Sequence, residues 1–447
     1  MARKLKVLNL TGCARMHKTP DLSSNVNLEQ LILESCGRLV QIDESIGQLT
    51  QLVFLNLRFC RELCKLPEEI ANLESLEELL IDCTSIREVP GLSVSNCSSI
   101  GNLTSLSRFS LENVEVSQPH LEIRALVKLE HLSLSGCKLL KKIPDSIWNL
   151  ESLVVLNLSH THIAELPKSL GNLKNLKILR MRGSSIRSIP SAIGMLEKLK
   201  EIDAEFCQCL EGTIPEDIGR LSSLEILKFS NTTICNIPKL PESLLSLHIG
   251  SNSMKRLPDL SNLINLTELN LEISQVPEFC LAEEDSTCVD MTELGRDPSP
   301  SLTEIQSFEG LEKLTVLRLG ELPLLERLPD LSNLKKLTKL DLQQCHKLVK
   351  ILGRLDSLED LCIYGCNSLV ELPDPSSFKN LKSLQLRDCE MLQTDQVWVS
   401  KSDTFDTTPN VTVTVKYVDV ATFRWSIATC IKKPIDDDKC LDNLACP

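Results

Sequence analysis

Leucines recur along this chain in a phrase of fixed rhythm. Leu5, Leu8 and Leu10 are followed by Cys13, Leu28, Leu31 and Leu33 by Cys36, and Leu52, Leu55 and Leu57 by Cys60. Further copies open at Leu76, Leu106, Leu129, Leu153, Leu176, Leu199, Leu224, Leu244, Leu266, Leu314, Leu337, Leu358 and Leu381. Nine of the fifteen steps between these sixteen openings are 23 or 24 residues, so the rhythm is a period and not a bias of composition. The last two leucines of each phrase are two residues apart. On a strand that spacing sends both to one side and the residue between them, such as Asn9, to the other.

The second half of many units reads like Leu66-Pro67-Glu68-Glu69-Ile70-Ala71-Asn72-Leu73 or Ile143-Pro144-Asp145-Ser146-Ile147-Trp148-Asn149-Leu150. Proline suits the first position of a short helical turn, acids favour its N-terminus, and apolar residues three apart return to one face. A single unit of this kind cannot bury its leucines alone, so the units must stack, strand beside parallel strand. The pattern predicts an α/β leucine-rich-repeat solenoid, a curved horseshoe. Its parallel sheet lines the concave face; short helices, 3-10 turns and loops form the convex face.

Two steps are long. They place insertions near 91–99, rich in serine, and near 280–301, which carries Glu283-Glu284-Asp285 and Pro298-Ser299-Pro300. Each is read either as a solvated excursion or decayed repeat, or as a loop carrying function on a rigid scaffold. The repeat is expected to occupy residues 1–398 in about sixteen units, and 399–447 to hold capping strands and a loose tail, because Val411, Val413 and Val415 alternate with Thr412 and Thr414. The first phrase opens at Leu5 with no polar unit ahead of it, from which we expect something to precede the array, another domain or a partner.

A 42% hydrophobic content with only 3% aromatic residues makes the core aliphatic. Forty-eight basic against 61 acidic side chains give a net charge of −13, with no concentrated basic run, which argues against nucleic acid as a partner. The chain shows neither a secretory signal nor a long apolar span, so the expectation is a cytoplasmic, possibly nucleo-cytoplasmic, protein without a membrane partner.

Many of the nineteen cysteines fall at the residue closing the strand phrase: Cys13, Cys36, Cys60, Cys137, Cys207, Cys345, Cys366 and Cys389. Threonine, serine or asparagine takes that place elsewhere, at Thr84, Thr161, Thr232, Ser184, Ser274 and Asn252. Small groups able to hydrogen-bond suit a buried turn between coils, and this reading is preferred to disulfides. The spacings Cys60-x-x-x-Cys64 and Cys362-x-x-x-Cys366 do not make a zinc site, since one member of each pair faces the core and the other lies elsewhere. The sequence contains no phosphate loop, no H-E-x-x-H helix and no G-x-S-x-G elbow. Neither a catalytic residue, a cofactor nor a small-molecule substrate is therefore expected. His131 and His248 fall on outward strand positions and read as solvated surface residues.

The phrase L-x-x-L-x-L-x-x-C/T-x-x-L-x-x-L-P-x-x-I-x-x-L, seen from Leu52 to Leu73, resembles the repeat domain of plant intracellular nucleotide-binding leucine-rich-repeat immune receptors. Cysteine-ended strands such as Leu340-Asp341-Leu342-Gln343-Gln344-Cys345, and the stretch Leu328-Pro329-Asp330-Leu331-Ser332-Asn333-Leu334, are similar to the subclass with an N-terminal Toll/interleukin-receptor-like domain. The resemblance covers roughly residues 1–395. It implies innate immunity in plants: recognition of a pathogen effector or a guarded host protein, coupled to an upstream nucleotide-switch domain that this chain lacks.

Candidate contact residues are the outward strand positions. Arg180 and Arg182 stand in one unit, Glu201, Asp203 and Glu205 in the next, and Lys228 after them; Phe54, Asn56, Arg58 and Phe59 form a second cluster, and Tyr364 stands near the C-terminal end. Arginine and aromatic groups on a rigid curved surface favour protein binding. Around Arg182 and Glu205 the competing reading is lateral salt bridges that satisfy one another. The alternative function is a stand-alone intracellular scaffold of the Ras-suppressor-like type. A secreted receptor is suggested only by Leu210-Glu211-Gly212-Thr213-Ile214-Pro215, which resembles the extracellular plant repeat, and an enzyme by nothing in the chain.

Overall fold

Pairing between successive repeats forces the chain into a parallel ladder. A computed structural model describes residues 4–87, 103–115, 126–143, 145–251, 253–254, 256–272 and 302–392, together with the strands Thr412–Val418 and Trp425–Cys430. The two insertions near 91–99 and 280–301, the closing positions Asn252 and Ser274, and the C-terminal tail lie outside the described residues.

A strand begins two residues after each leucine that opens a repeat, from Val7–Asn9 after Leu5 to Ser383–Arg387 after Leu381. These strands join one 18-stranded sheet. Its register is continuous at the central residue: Leu8 pairs with Leu31, Leu31 with Leu55 and Leu55 with Leu79, and the row then runs through Phe109, Leu132, Leu156, Leu179 and Ile202. Because each step repeats the same pairing, every coil sends the same side chains inward. Leu31, Leu55, Leu79, Leu156 and Leu179 have no exposed surface, and each such leucine contributes roughly 1.5–3 kcal/mol of burial. Leu5, Leu8 and Leu10 in the first coil are only half-buried, packed against the core from one side. Beyond Arg387 the strand Thr412–Val418 extends the ladder in parallel, and Trp425–Cys430 then pairs with it antiparallel.

The convex side carries one-turn 3-10 helices, among them Glu44–Gln48, Glu68–Asn72, Lys168–Asn172, Ser191–Met195 and Glu216–Arg220. Their prolines correct the sequence expectation by one position. Pro67, Pro167, Pro190 and Pro215 are not the first helical residue but the N-cap, with extended ψ between 141° and 163°. A 3-10 turn closes by an i to i+3 bond, so the cap carbonyl must be free while its N–H is unused. The Ile70 and Leu170 amides accordingly donate to the Pro67 and Pro167 carbonyls at 3.2 and 3.1 Å.

The closing cysteines tie one coil to the previous one. The Cys36, Cys60, Cys137 and Cys207 thiols donate to the carbonyls of Leu10, Leu33, Leu111 and Met181 at 2.9 to 3.1 Å. Threonine at the same place behaves differently: Thr84, Thr161 and Thr232 donate back to Ile81, Leu158 and Phe229 of their own coil at 2.8 to 2.9 Å. The longer reach of sulfur spans the gap between coils, whereas a hydroxyl settles for its own turn. Burial pushes the Cys60 and Cys137 thiols up to about 12 and Cys207 to about 11, so at neutral pH they stay protonated donors.

Candidate protein-binding surface

Residues alternating with the ladder leucines stand on the concave face, and the central cluster there is a network of charge. Arg180, which ends the strand Ile178–Arg180, grips Glu201 of the next coil with two bonds, 2.9 Å from Nε and 3.3 Å from Nη2. Arg182 donates to Glu205, and its guanidinium lies 4.5 Å above the centre of the Phe206 ring. The Glu205 carboxylate also meets His248 Nδ1 at 3.1 Å. On the imidazole's other side, Nε2 lies 3.8 Å from Glu268, and Glu268 pairs with Arg318. The result is two clusters side by side across the middle of the sheet, Arg182–Glu205–His248 and Glu268–Arg318, with no hydrogen bond between the imidazole and Glu268.

Burial alone would raise the Glu205 and Glu268 carboxyls. The Glu205 bond to His248 and the Arg182 charge outweigh it, as Arg318 and His248 do for Glu268, and both groups are held below the usual glutamate range. Asp203 differs. Burial, with the Glu205 charge behind it, lifts this carboxyl above its ordinary value although it accepts the Glu205 amide.

Asn56 and Asp203 are 6% and 8% exposed, and each side-chain oxygen accepts the backbone N–H two residues on, of Arg58 at 3.0 Å and Glu205 at 3.1 Å. Asn9, Asn157 and Asn270 do the same. These two candidates are therefore turn-forming residues of the scaffold, with little surface left for a partner. His248 also departs from expectation: its side chain is 14% exposed, held between two carboxylates and not solvated.

In the second cluster, Phe54 is half-buried and Arg58 pairs with Asp82 at 2.6 Å. Phe59 stands just past the strand at φ +59°, 41% exposed. The left-handed backbone belongs to the repeat, since Ser35, Cys83, Asn113, His160 and Phe206 take φ of 54° to 59° at the same place, and the Phe59 amide uses it to donate to the Asp82 carbonyl of the next coil at 2.9 Å. Gly183 takes the equivalent place after Arg182 at φ +62°, where an added Cβ would sit 2.6 Å from His160 Nδ1. Tyr364, 37% exposed, ends the strand Asp360–Tyr364 between Gln343 and Arg387 of the flanking coils. Lys228 is close enough to Asp203 and Glu205 to act on both. The structure thus joins Arg180, Arg182, Glu201, Asp203, Glu205 and Lys228 in one patch and leaves the Phe54–Phe59 and Tyr364 positions as separate patches of the same face. His248, Glu268, Arg318 and Asp82 complete these patches, and sequence reasoning missed them. All four share the outward registers of the chosen residues. The Glu205–His248 contact was hidden because it skips the coil between them, where Ser230 is too small to intervene.

The family description Leucine Rich Repeat matches residues 128–150 and 152–173. Disease resistance protein RPP4 of Arabidopsis thaliana is 33% identical over 172 residues, covering 35% of this chain and 15% of the relative. The TMV resistance protein N of Nicotiana glutinosa is 30% identical over 179 residues, covering 36% and 15%. The chain is a leucine-rich-repeat array whose curated relatives are plant disease-resistance proteins. Those relatives belong to the Toll-like nucleotide-binding class that the cysteine-ended strands suggested. The array spans about 15% of the length of the resistance proteins it matches. Among solved structures, YopM of Yersinia enterocolitica aligns with TM-score 0.54 at 20% identity over 87% of this chain and 79% of its own. A leucine-rich-repeat protein of Leptospira interrogans aligns with TM-score 0.53 at 23% identity over 83% and 92%. At those identities the likeness speaks for the fold alone. Among its described residues no helix is long and apolar enough to cross a membrane.

Proposed function

We propose that this array is a protein-recognition module in plant defence that reads a pathogen effector, or a host protein the effector alters, with its concave face. The repeat fold and the resistance-protein relatives support protein binding in plant defence. In this reading the array works in the cytoplasm, coupled to an upstream nucleotide-switch domain, and the segment after about residue 398 caps the last coil. One observation carries the choice of face. Phe59 keeps an aromatic ring 41% exposed beside the Arg58–Asp82 pair, and Tyr364 keeps one 37% exposed farther along the same face, the mix of aromatic and arginine side chains that interface anchors favour.

The test expresses the full chain and its Phe59→Ala and Tyr364→Ala variants in leaves and recovers bound proteins by affinity capture during infection. A partner that depends on infection is expected, and Phe59→Ala should weaken its binding by roughly tenfold, the scale of an interface anchor. Capture of the same partner at unchanged affinity by both variants would remove the concave face from the reading.

A further inference from the structure

The His248 imidazole is bonded on one side only. Nδ1 meets the Glu205 carboxylate at 3.1 Å, while Nε2 is buried, has no hydrogen-bond partner among the described residues and lies 3.8 Å from Glu268 Oε2. Glu205 is held below the usual glutamate range, so at neutral pH it is a carboxylate and can only accept. Nδ1 therefore carries the ring proton, and the neutral ring leaves Nε2 as a bare lone pair. That lone pair faces a second anion, because Glu268 is likewise held below its ordinary range beside Arg318. Two buried acceptors turned toward each other repel, and a single proton between them converts the contact into an attraction.

The charges around the ring come from five coils. Asp203, Arg182 and Lys228 act on Glu205, and Arg318 pairs with Glu268; Glu272, on the coil of Glu268, lies against Gly320. Both arginines are already paired with the two glutamates, so the groups nearest the ring nitrogens are carboxylates. The Ser246 hydroxyl donates to Glu268 Oε2 at 3.2 Å, and a carboxylate oxygen with two lone pairs accepts a second donor. Closing the 3.8 Å gap to the ~2.8 Å of a charge-assisted bond takes a small rotation of the Glu268 side chain, which is 29% exposed.

We propose that His248 is a proton-operated clasp on the concave face: in mild acid the ring takes a proton from solvent at Nε2, donates it to Glu268, and joins the two charged clusters into one. The joined chain runs from Arg182 through Glu205, His248 and Glu268 to Arg318 and ties together coils on both sides of the 48-residue step from Leu266 to Leu314. Both carboxylates stay ionised through this window, so the clasp closes before either glutamate takes up a proton of its own. Closure would fix Arg182 and Glu205 where a partner must engage them. That consequence rests on recognition by the concave face, whereas the clasp itself belongs to the chain alone.

The test needs no partner, so its failure is separate from a failure of recognition. Urea unfolding of the full chain, His248→Asn, Glu268→Gln and the double variant forms a cycle at about pH 8 and about pH 5.5, on either side of the ordinary histidine range. Asparagine keeps a donor where Nδ1 stood and removes Nε2, so the cycle isolates the contact with Glu268. A favourable coupling of about fivefold in the folding equilibrium is expected in acid. At the higher pH it should vanish or change sign, because the glutamine amide can donate to the bare nitrogen. Long-range nitrogen–proton spectra of the histidine-labelled parent chain give a reading that no variant has to fold for. They should show a ring protonated at Nδ1 alone at the higher pH and at both nitrogens in acid. Equal coupling at the two pH values, no coupling in acid, or a ring protonated at Nε2 alone at the higher pH would overturn the proposal.

Discussion

Replacing Leu179 by alanine lowers the stability of the array by about 2–5 kcal/mol, the range for truncating a fully buried leucine where neighbours cannot collapse into the gap. Leu179 has no exposed surface and sits in register between Leu156 and Ile202. Both neighbours are held by their own strand pairings, so neither can move to fill the void without breaking ladder bonds. In a solenoid each coil touches only its neighbours, and the loss should therefore be local first. Urea unfolding read by circular dichroism measures the total. Amide exchange in the strands Val155–Asn157, Ile178–Arg180 and Glu201–Asp203 should accelerate before that in Gln30–Ile32 or Lys339–Gln343. A loss below about 1 kcal/mol would mean that Leu179 is not buried between coils.

Glu205→Ala is the polar counterpart, with an expected cost of about 2–3 kcal/mol. The change strands Arg182 and His248 together, while Arg182 keeps its place over Phe206, which holds the cost toward the lower end. Truncation of Glu29, whose pair with Lys6 is largely exposed, should cost no more than about 0.5 kcal/mol. The pH dependence separates the two. Glu205 titrates below its ordinary value in the folded chain, so its contribution is complete above the unfolded glutamate range and disappears as pH falls through the depressed folded value. The stability gap between the parent chain and Glu205→Ala should therefore be full at neutral pH and shrink in acid. A gap that stays constant down to strongly acid pH would show that the Glu205 charge does not hold Arg182 and His248 together.

The ladder could be read from the chain because its physics is periodic. Leu31, Leu55 and Leu79 recur at the interval that parallel pairing requires, and Cys36, Cys60 and Cys137 recur where a buried donor is needed. What could not be read depends on three-dimensional coincidence. Glu205 and His248 are 43 residues apart and meet only because the intervening coil places a serine between them. Asn56 and Asp203 were assigned to the face because they stand on its register, yet short polar side chains one residue before a turn bond the turn before they can meet a partner. The proline offset has the same origin, since only geometry distinguishes an N-cap from a first helical residue. The coil opened by Leu224 has no convex helical turn and left a trace in its 20-residue step, but a short step alone does not say which half of the coil has been lost.

The most direct test of the stacked-coil account is residue-resolved hydrogen exchange across the full chain. The amides of Leu33, Leu57, Leu134, Leu158 and Met181 donate to carbonyls of the following coil, those of Asn56, Leu80, Asn157, Arg180 and Asp203. Protection peaking at these positions and recurring with the 23 or 24-residue period is the predicted result. Slow exchange in continuous runs, as along long helices, or protection without that period would contradict it.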